Sequence, residues 1–456
     1  MTGTVARETR PRGRLAVALL AVALLSVEFL AGMQRYLSQT VLPLVAEELD
    51  GRDLYGPLDA AAQAPLFLMM PIGVWLLARF RIGTLMLVFT AVTALGSLLC
   101  AAAPTMGVFI AGTAVRAFAA GALATIGLGA ISRGLPPRYR QLVLAGMSGV
   151  WVVSSVLGPV YAVAVSSLLG WRWAMLMYLP LLLLARMLIA RYVPERSDPS
   201  VAAEPAPWGW AVVLATGSAV LSLPVGVWSL AVAAVGAVLV VVATRALLPE
   251  GTLSATHGRR AGLSALLTVA ATYFGATSVL TVVAVDAFGL TPGQFGVVIA
   301  TSGFTWAALG LWTGTHPALA DAPFRRRATA GAVGLGAGVT ALAGTTFLAT
   351  PTAAFVGLVV GAALLGAGMG TVYPDLLGRC FTPPDHDDGI DEDRMAGAVA
   401  LAETVGLALA TTLAFAWLGT GFGLVDDPVT RAQVLYVALL PVAAGAARRL
   451  VAASRG

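Results

Sequence analysis

Apolar runs of about 20 residues recur along almost the whole chain, separated by short polar or Gly/Pro-bearing breaks. At about 1.5 Å of rise per residue, such a run crosses the roughly 30 Å hydrocarbon layer of a bilayer as a helix. The pattern predicts fourteen spans, near 16–44, 56–78, 83–102, 106–131, 141–168, 172–193, 207–222, 225–246, 261–287, 292–314, 328–348, 352–376, 395–419 and 430–449. The seventh and eighth are the tightest pair, because Pro207 to Leu247 offers only 41 residues, broken at "SLPVG".

Arginine placement orients the spans, since basic residues stay on the cytoplasmic side. Arg7, Arg10, Arg12 and Arg14 precede the first run. Every second loop after it is basic: Arg79 and Arg81; Arg133, Arg138 and Arg140; Arg191 and Arg196; Arg245, Arg259 and Arg260; Arg325 to Arg327; Arg379 and Arg394. With Arg448, Arg449, Arg455 and Arg186, 23 of 28 arginines share one side; Arg52, Arg172 and Arg431 take the other. Both termini are therefore expected in the cytoplasm, with an even number of crossings. Arg196 and Arg245 share a side, so the 41 residues cross twice as a hairpin. The expected organisation is a six-helix bundle over 1–193, a linker ("PERSDPSVAAEPAP") with the inserted hairpin over 194–250, and a second six-helix bundle over 251–456. The N-terminal "RETRPRGRLAVALLAVALLS" imitates a secretion leader but runs on past any cleavage site, so it reads as a retained first span. The acidic loop "TPPDHDDGIDEDR" is expected to stay solvated and disordered.

Composition agrees with a polytopic membrane protein. Hydrophobic residues make up 58% and charged residues 11%, with a mean hydropathy of +0.86, against about 25% charged in a soluble protein. The net charge of +5 follows the membrane sides and signals no nucleic acid. Cys100 and Cys380 build neither a disulfide framework nor a metal site and are expected unpaired. His257, His316 and His386 are scattered over loops, and no Gly-x-Ser-x-Gly, His-Glu-x-x-His or Walker phosphate loop occurs. Nothing here predicts an enzyme, a cofactor or an ATPase.

Three stretches carry a family resemblance. "GMQRYLSQTVLPLVAEELDG" with the following "RDLYG" resembles the first helix and outer loop of the 14-helix drug:proton antiporter branch of the major facilitator superfamily. "GMSGVWVVSSVLGPVYAV" resembles that branch's antiporter motif, through Gly149, Gly158 and Pro159. "GWRWAMLMYLP" resembles the start of its sixth helix, with Trp171, Arg172, Trp173 and Pro180. Weaker similarity runs through "FGLTPGQFG" and "DRMAGAVALAETVGLALA", so it covers essentially the whole chain. The resemblance implies proton-coupled efflux of small organic compounds across a bacterial cell membrane by a monomer, with substrate, protons and lipid as partners. Uptake by symport, or a non-transporting sensor or scaffold, are the other readings.

The departures from the family pattern matter. In "PIGVWLLARFRIGTL" Arg79 is kept, Ala78 stands where an Asp helps latch the two halves, and Arg81 replaces a glycine. In helix 4, "RAFAAGALATIGLGAI" keeps Arg116, which the resemblance implicates in proton transfer, but places Ala119 at a usual glutamine. The usual helix 1 acid falls on Gln34, while Glu28 stands six residues earlier.

Ionisable groups deep in a span are costly and usually functional. Glu28 lies near the middle of its run, and by about 1.5 Å per residue Arg116 comes within roughly 5 Å of the same depth. Glu28 is expected to couple protons, with either Arg116 or Arg35 as counter-charge; Arg35, seven residues on, shares its helix face. Glu403 is a second candidate for proton or cationic-substrate binding. Asp286 is expected near the outer mouth, and Asp375 at the cytoplasmic end as a substitute for the missing latch charge. The candidate substrate surface is Gln34, Tyr36, Gln39, Trp151, Tyr161, Tyr273, Trp306 and Tyr373, whose rings suit an apolar or cationic organic ligand. Trp208, Trp210 and Trp417 read as interface anchors. Gly357 with Gly361, Gly366 with Gly370, and the "GAVGLGAG" of helix 11 read as close-packing surfaces.

Overall fold

A computed structural model describes residues 14–51, 54–193, 205–222, 229–318, 320–348, 350–382, 388–420 and 424–454. His386 and the middle of the acidic loop fall outside them. Every regular element among the described residues is a helix. The first group is α1 (Arg14–Glu48), α2 (Tyr55–Arg79), α3 (Ile82–Ala101), α4 (Met106–Gly134), α5 (Pro137–Leu169), α6 (Trp171–Ala174) and α7 (Leu179–Tyr192). Two shorter helices follow, α8 (Trp208–Leu221) and α9 (Ser229–Leu247). The last group is α10 (Gly258–Thr277), α11 (Leu280–Val282), α12 (Pro292–Thr315), α13 (Asp321–Thr345), α14 (Pro351–Cys380), α15 (Glu392–Thr420) and α16 (Pro428–Ala453).

Twelve helices among the described residues are long and apolar enough to cross a membrane, against the fourteen expected. α8 has only 14 residues, and α10, which carries Arg259, Arg260 and several hydroxyl side chains, is not among the twelve. The sixth expected span is one apolar stretch, Trp171–Tyr192, broken between Ala174 and Leu179, next to Pro180. The ninth is interrupted too: α10 stops at Thr277, and a π-helical turn covers Val283–Ala287.

The helix ends have ordinary chemical causes. Proline at the first turn supplies a fixed φ and no wasted N–H, and it opens α5, α12, α14 and α16. Thr291 and Gln294 form a capping box on α12. Asp427 Oδ2 accepts from Thr430 N at 2.7 Å, and Thr350 Oγ1 from Ala353 N at 3.3 Å. Such caps contribute about 1 kcal/mol each. α5 ends at Gly170, whose φ of 90° is left-handed and suits glycine.

With no hydrophobic drive between helices in lipid, small residues set the packing. Gly357 and Gly361 of α14 lie against Thr345 and Leu342 of α13, and Gly366 and Gly370 against Ser302 and Trp306 of α12. A methyl group at Gly366 would collide with the Ser302 carbonyl. The glycines of α14 therefore serve two neighbours. Cys100 and Cys380 are both free and buried.

Candidate functional site

Helices α1–α7 and α10–α16 meet along α2–α15, α4–α15, α5–α12 and α5–α14. The contacts across this seam gather at the end that carries the chain termini. Arg133, at the end of α4, forms an ion pair with Asp393 in the first turn of α15, and the Asp393 side chain is only 3% exposed. Gln141 Nε2 donates to the Pro374 carbonyl at 3.3 Å. Gly314 admits Ala145, Gly397 admits Val74, and Gly149 faces Leu311. Farther along α5 and α12 toward the other end, Val156, Val160, Val163, Val297 and Phe304 are exposed.

The acidic loop is not simply solvated at its described end. Asp388 is paired with Arg259, whose Nε donates to Oδ2 at 2.9 Å, and Arg260 Nη2 donates to the Asp388 carbonyl at 2.9 Å. The Arg259 hydrogen bonds hold the Asp388 carboxyl below its ordinary range. With Asp393 in the seam, this loop bears two structural carboxylates. A run of acidic residues reads as solvated until the arginines that fold against it are known.

Beyond the seam contacts, each helix group carries one half-buried carboxylate: Glu28 on α1 and Glu403 on α15. The Glu28 carboxylate is near enough for its charge to act on Glu403. Tyr373 Oη donates to Glu403 Oε1 at 2.8 Å. The Tyr373 ring meets Trp306 edge-on at 5.8 Å between centroids, and Trp306 meets Tyr273 at 5.0 Å and Phe274 at 5.9 Å. Tyr273 Oη is 2.9 Å from Ser302 Oγ. On the facing side, the Trp151 indole reaches toward Glu28. Tyr36 packs where Gly158 lets α5 close on α1, with a Cβ at Gly158 falling 2.8 Å from Tyr36 Cβ. Tyr273, Phe274, Trp306 and Tyr373 thus form one aromatic cluster behind Glu403, while Trp151 stands beside Glu28, which shares α1 with Tyr36.

The expected Glu28 pairings are not present. Arg116 is 9% exposed and directs Nη2 to Ser38 Oγ at 3.2 Å and Nη1 to Met175 Sδ at 3.7 Å. With its amide oxygen turned to Arg116, Gln34 accepts from Nε at 3.0 Å and donates to Tyr178 Oη at 3.1 Å. Arg116 therefore reads the neutral Gln34, the position where the family pattern has an acid. Arg35 is exposed and acts on Tyr36 instead. The arginine whose charge reaches Glu28 is Arg186 of α7, which the sequence pattern counts only among the basic residues of the cytoplasmic side.

Other expected positions fall elsewhere. Asp375 does not bridge the two groups; it accepts from Arg327 Nη1 at 2.6 Å and Ala318 N at 3.1 Å. Tyr161 Oη donates to the Ala174 carbonyl at 2.9 Å, bracing the broken start of the sixth span. Arg79 lies 4.6 Å over the Trp75 ring, and Arg81 is exposed. Asp286 is exposed in the π-turn beside Arg431 and Pro428, at the end away from the termini. Trp417 donates to the Arg431 carbonyl at 2.7 Å, while Trp208 and Trp210 are exposed. The side chains of Gln39 and Pro159 lie outside the described set.

The sequence model of the Major Facilitator Superfamily matches residues 24–378. Among curated proteins, the chain is 22% identical over 178 residues to the "Multidrug efflux pump SdrM" of Staphylococcus aureus, covering 39% of each. It is 30% identical over 139 residues to a "Probable multidrug-efflux transporter" of Mycobacterium tuberculosis, covering 30% of each. The chain thus aligns with well under half the length of these relatives. Among solved structures, the human organic anion transporter MFSD10 superposes with a TM-score of 0.66 at 16% identity, over 97% of this chain and 100% of that one. The proton:xylose symporter XylE superposes with a TM-score of 0.62 at 13% identity, over 95% of each. At such identities the superpositions establish the fold alone.

Proposed function

The chain belongs to the major facilitator superfamily, and from that premise we propose that it exports small organic compounds by proton antiport across a bacterial cell membrane. The observation that carries the reading is the pair Glu28 and Glu403, one half-buried acid from each helix group, the first with Trp151 beside it and the second held by Tyr373 in front of Trp306 and Tyr273. Two acids within reach of one another resist simultaneous ionisation, so protons and a cationic or aromatic substrate compete for one place. Relatives named as multidrug efflux pumps support export.

In this proposal the units are 1–193 and 251–456, joined through 194–250, with fourteen crossings and both termini cytoplasmic. α8 and α9 pack on one another and against α2 and α15, as an inserted hairpin would. With the seam closed at the termini end, the cavity faces outward. Protons arriving there load Glu28, shared with Glu403, and weaken the hold on substrate. The groups then rock by alternating access, Glu28 loses its proton inside, and the cavity reloads. The protein acts as a monomer.

Efflux assays in energised inverted vesicles, against a panel of antibiotics, dye-like cations and neutral aromatics, test the reading. Wild type is expected to concentrate at least one compound in proportion to the pH gradient, and Glu28→Gln to lose that dependence. Concentrative transport by Glu28→Gln under a pH gradient refutes the coupling role of Glu28. Accumulation in right-side-out vesicles in place of export reverses the direction.

A further inference from the structure

Among the described residues, Arg186 is a strongly buried arginine to which the proposed cycle gives no role. It sits within the apolar stretch Trp171–Tyr192 and is 7% exposed. An arginine there usually snorkels toward water along its own stem, but this one points inward. Its Nη1 rests 2.9 Å from Met86 Sδ on α3, and its Nε, buried, has no hydrogen-bond partner. A thioether is a weak acceptor, so most of the guanidinium's donor capacity is unspent in a region where a lone charge is costly.

The surroundings single out one anion. α7 packs against α1 and α3. α3 offers Met86, with Arg81 exposed at its end, and α7 itself offers only the exposed Arg191. α1 offers Glu28, the carboxylate whose charge acts on Arg186, and the exposed Arg35. Around Glu28, α4 contributes Arg116, already engaged with Gln34, Ser38 and Met175. α5 contributes the uncharged Trp151, and α6 contributes Arg172, held by Glu48. Across the cavity stand Glu403 and Tyr373, an acid and a phenol. Arg186 is thus the uncommitted cation on the Glu28 side, near its carboxylate but not in ion-pair contact with it among the described residues.

We propose that Arg186 is the positioning residue for the proton carried by Glu28: when that proton leaves, the carboxylate is drawn to the guanidinium, and reprotonation frees it again. The inference rests on the coupling role given to Glu28. An unformed pair at the α1–α7 contact is what a switch needs; a purely structural ion pair would be closed and fully hydrogen-bonded.

An infrared pH titration of the purified full-length protein in liposomes tests this, following the protonated-carboxyl band that Glu28→Gln removes. Removing an arginine from beside a carboxylate shifts its titration by about one to three pH units. Arg186→Met is expected to move the band's midpoint upward by that amount, Arg186→Lys to return it most of the way, and Arg186→Met added to Glu28→Gln to change nothing further. If Arg186→Met does not yield folded protein, Arg186→Gln makes the same comparison. A midpoint unmoved by loss of the charge overturns the proposal. If the midpoint moves while wild type shows no proton-driven flux, export by antiport fails and the pairing stands; flux without any shift of midpoint sinks the pairing alone.

Discussion

Glu28 and Glu403 are the same chemical group, one in each helix group, yet their neighbours differ. Glu403 is bound to a neutral donor, the Tyr373 hydroxyl at 2.8 Å, and an aromatic cluster stands directly behind that hydroxyl. Glu28 has an indole at its side and a guanidinium nearby whose Nε has no hydrogen-bond partner. A carboxylate backed by rings is built to hold a ligand, because a cation gains from both charge and π-face. In the proposed cycle, a carboxylate beside a cation suits trading a proton for an ion pair. The lesson is that depth in the membrane nominates an acid for function, but its counter-group decides which function.

The largest expected effect separates these two roles. Glu28→Gln is predicted to abolish the response of transport to a pH gradient for every substrate. Glu403→Gln should instead weaken cationic substrates on the order of tenfold to a hundredfold, a loss of about 1.4 to 2.8 kcal/mol, and spare neutral ones. Concentration-dependent flux with paired cationic and neutral dyes reads both. Equal losses for the two dyes in Glu403→Gln would erase the distinction.

A second experiment asks whether the Arg133–Asp393 seam holds the proposed outward-facing state. Breaking a buried ion pair from one side costs about 3–5 kcal/mol, less here because the Arg133 side chain is 19% exposed. Asp393→Asn is therefore expected to shift the conformational balance away from the present state. Spin labels on cysteines placed at Val163 and Val297, both exposed, report it, since Cys100 and Cys380 are buried. The distance distribution should gain a shorter component in the variant. An unchanged distribution would mean that helix packing alone closes the seam.

Tyr373→Phe is a smaller probe. It removes one hydrogen bond to a charged acceptor while leaving the ring against Trp306, so about 1.5–3 kcal/mol is the upper range for what changes. The Michaelis constant for a cationic substrate should rise roughly tenfold, with pH-gradient dependence retained. Loss of coupling in this variant would move the proton to the Glu403 side.

How much of this was legible in the sequence follows physical lines. Apolar length is a local property, and it located α1–α5, α9, α12 and α14–α16 to within a few residues, while α13 starts at Asp321, well before the expected 328, because its opening turns carry Arg325 to Arg327. Glu28 and Glu403 were visible for the same reason, being charges in apolar runs. Their partners were not, because a counter-charge is a tertiary fact. Arg186 looked like one more basic residue near a helix end; the break between Ala174 and Leu179 and the packing of α7 on α1 and α3 bring it into use. Asp393 belonged to an acidic run that read as solvated, and only the end of α4 turns it into a seam residue. Asp375, read as the spare latch, is committed to Arg327 and Ala318.

The smallest effect tests whether the end opposite the seam needs a tie of its own. At that end Glu48 closes α1 onto the start of the sixth span: it pairs with Arg172 and accepts from Trp171 Nε1 at 2.5 Å, while Arg172 Nη2 also donates to the Ala103 carbonyl at 3.1 Å. The Arg172 and Trp171 hydrogen bonds hold the Glu48 carboxyl below its ordinary value of 4.5. A carboxyl depressed on folding contributes stability that is present above its unfolded value and lost as pH falls through the folded one. The pair is exposed and screened, so its contribution is small. Glu48→Gln is expected to lower the melting temperature by at most about 2 °C at neutral pH, and the difference should vanish as the pH is taken below the carboxylate range. A difference that persists in acid would assign the tie to Trp171 packing against Phe109, where the rings meet at 5.9 Å, in place of the charge.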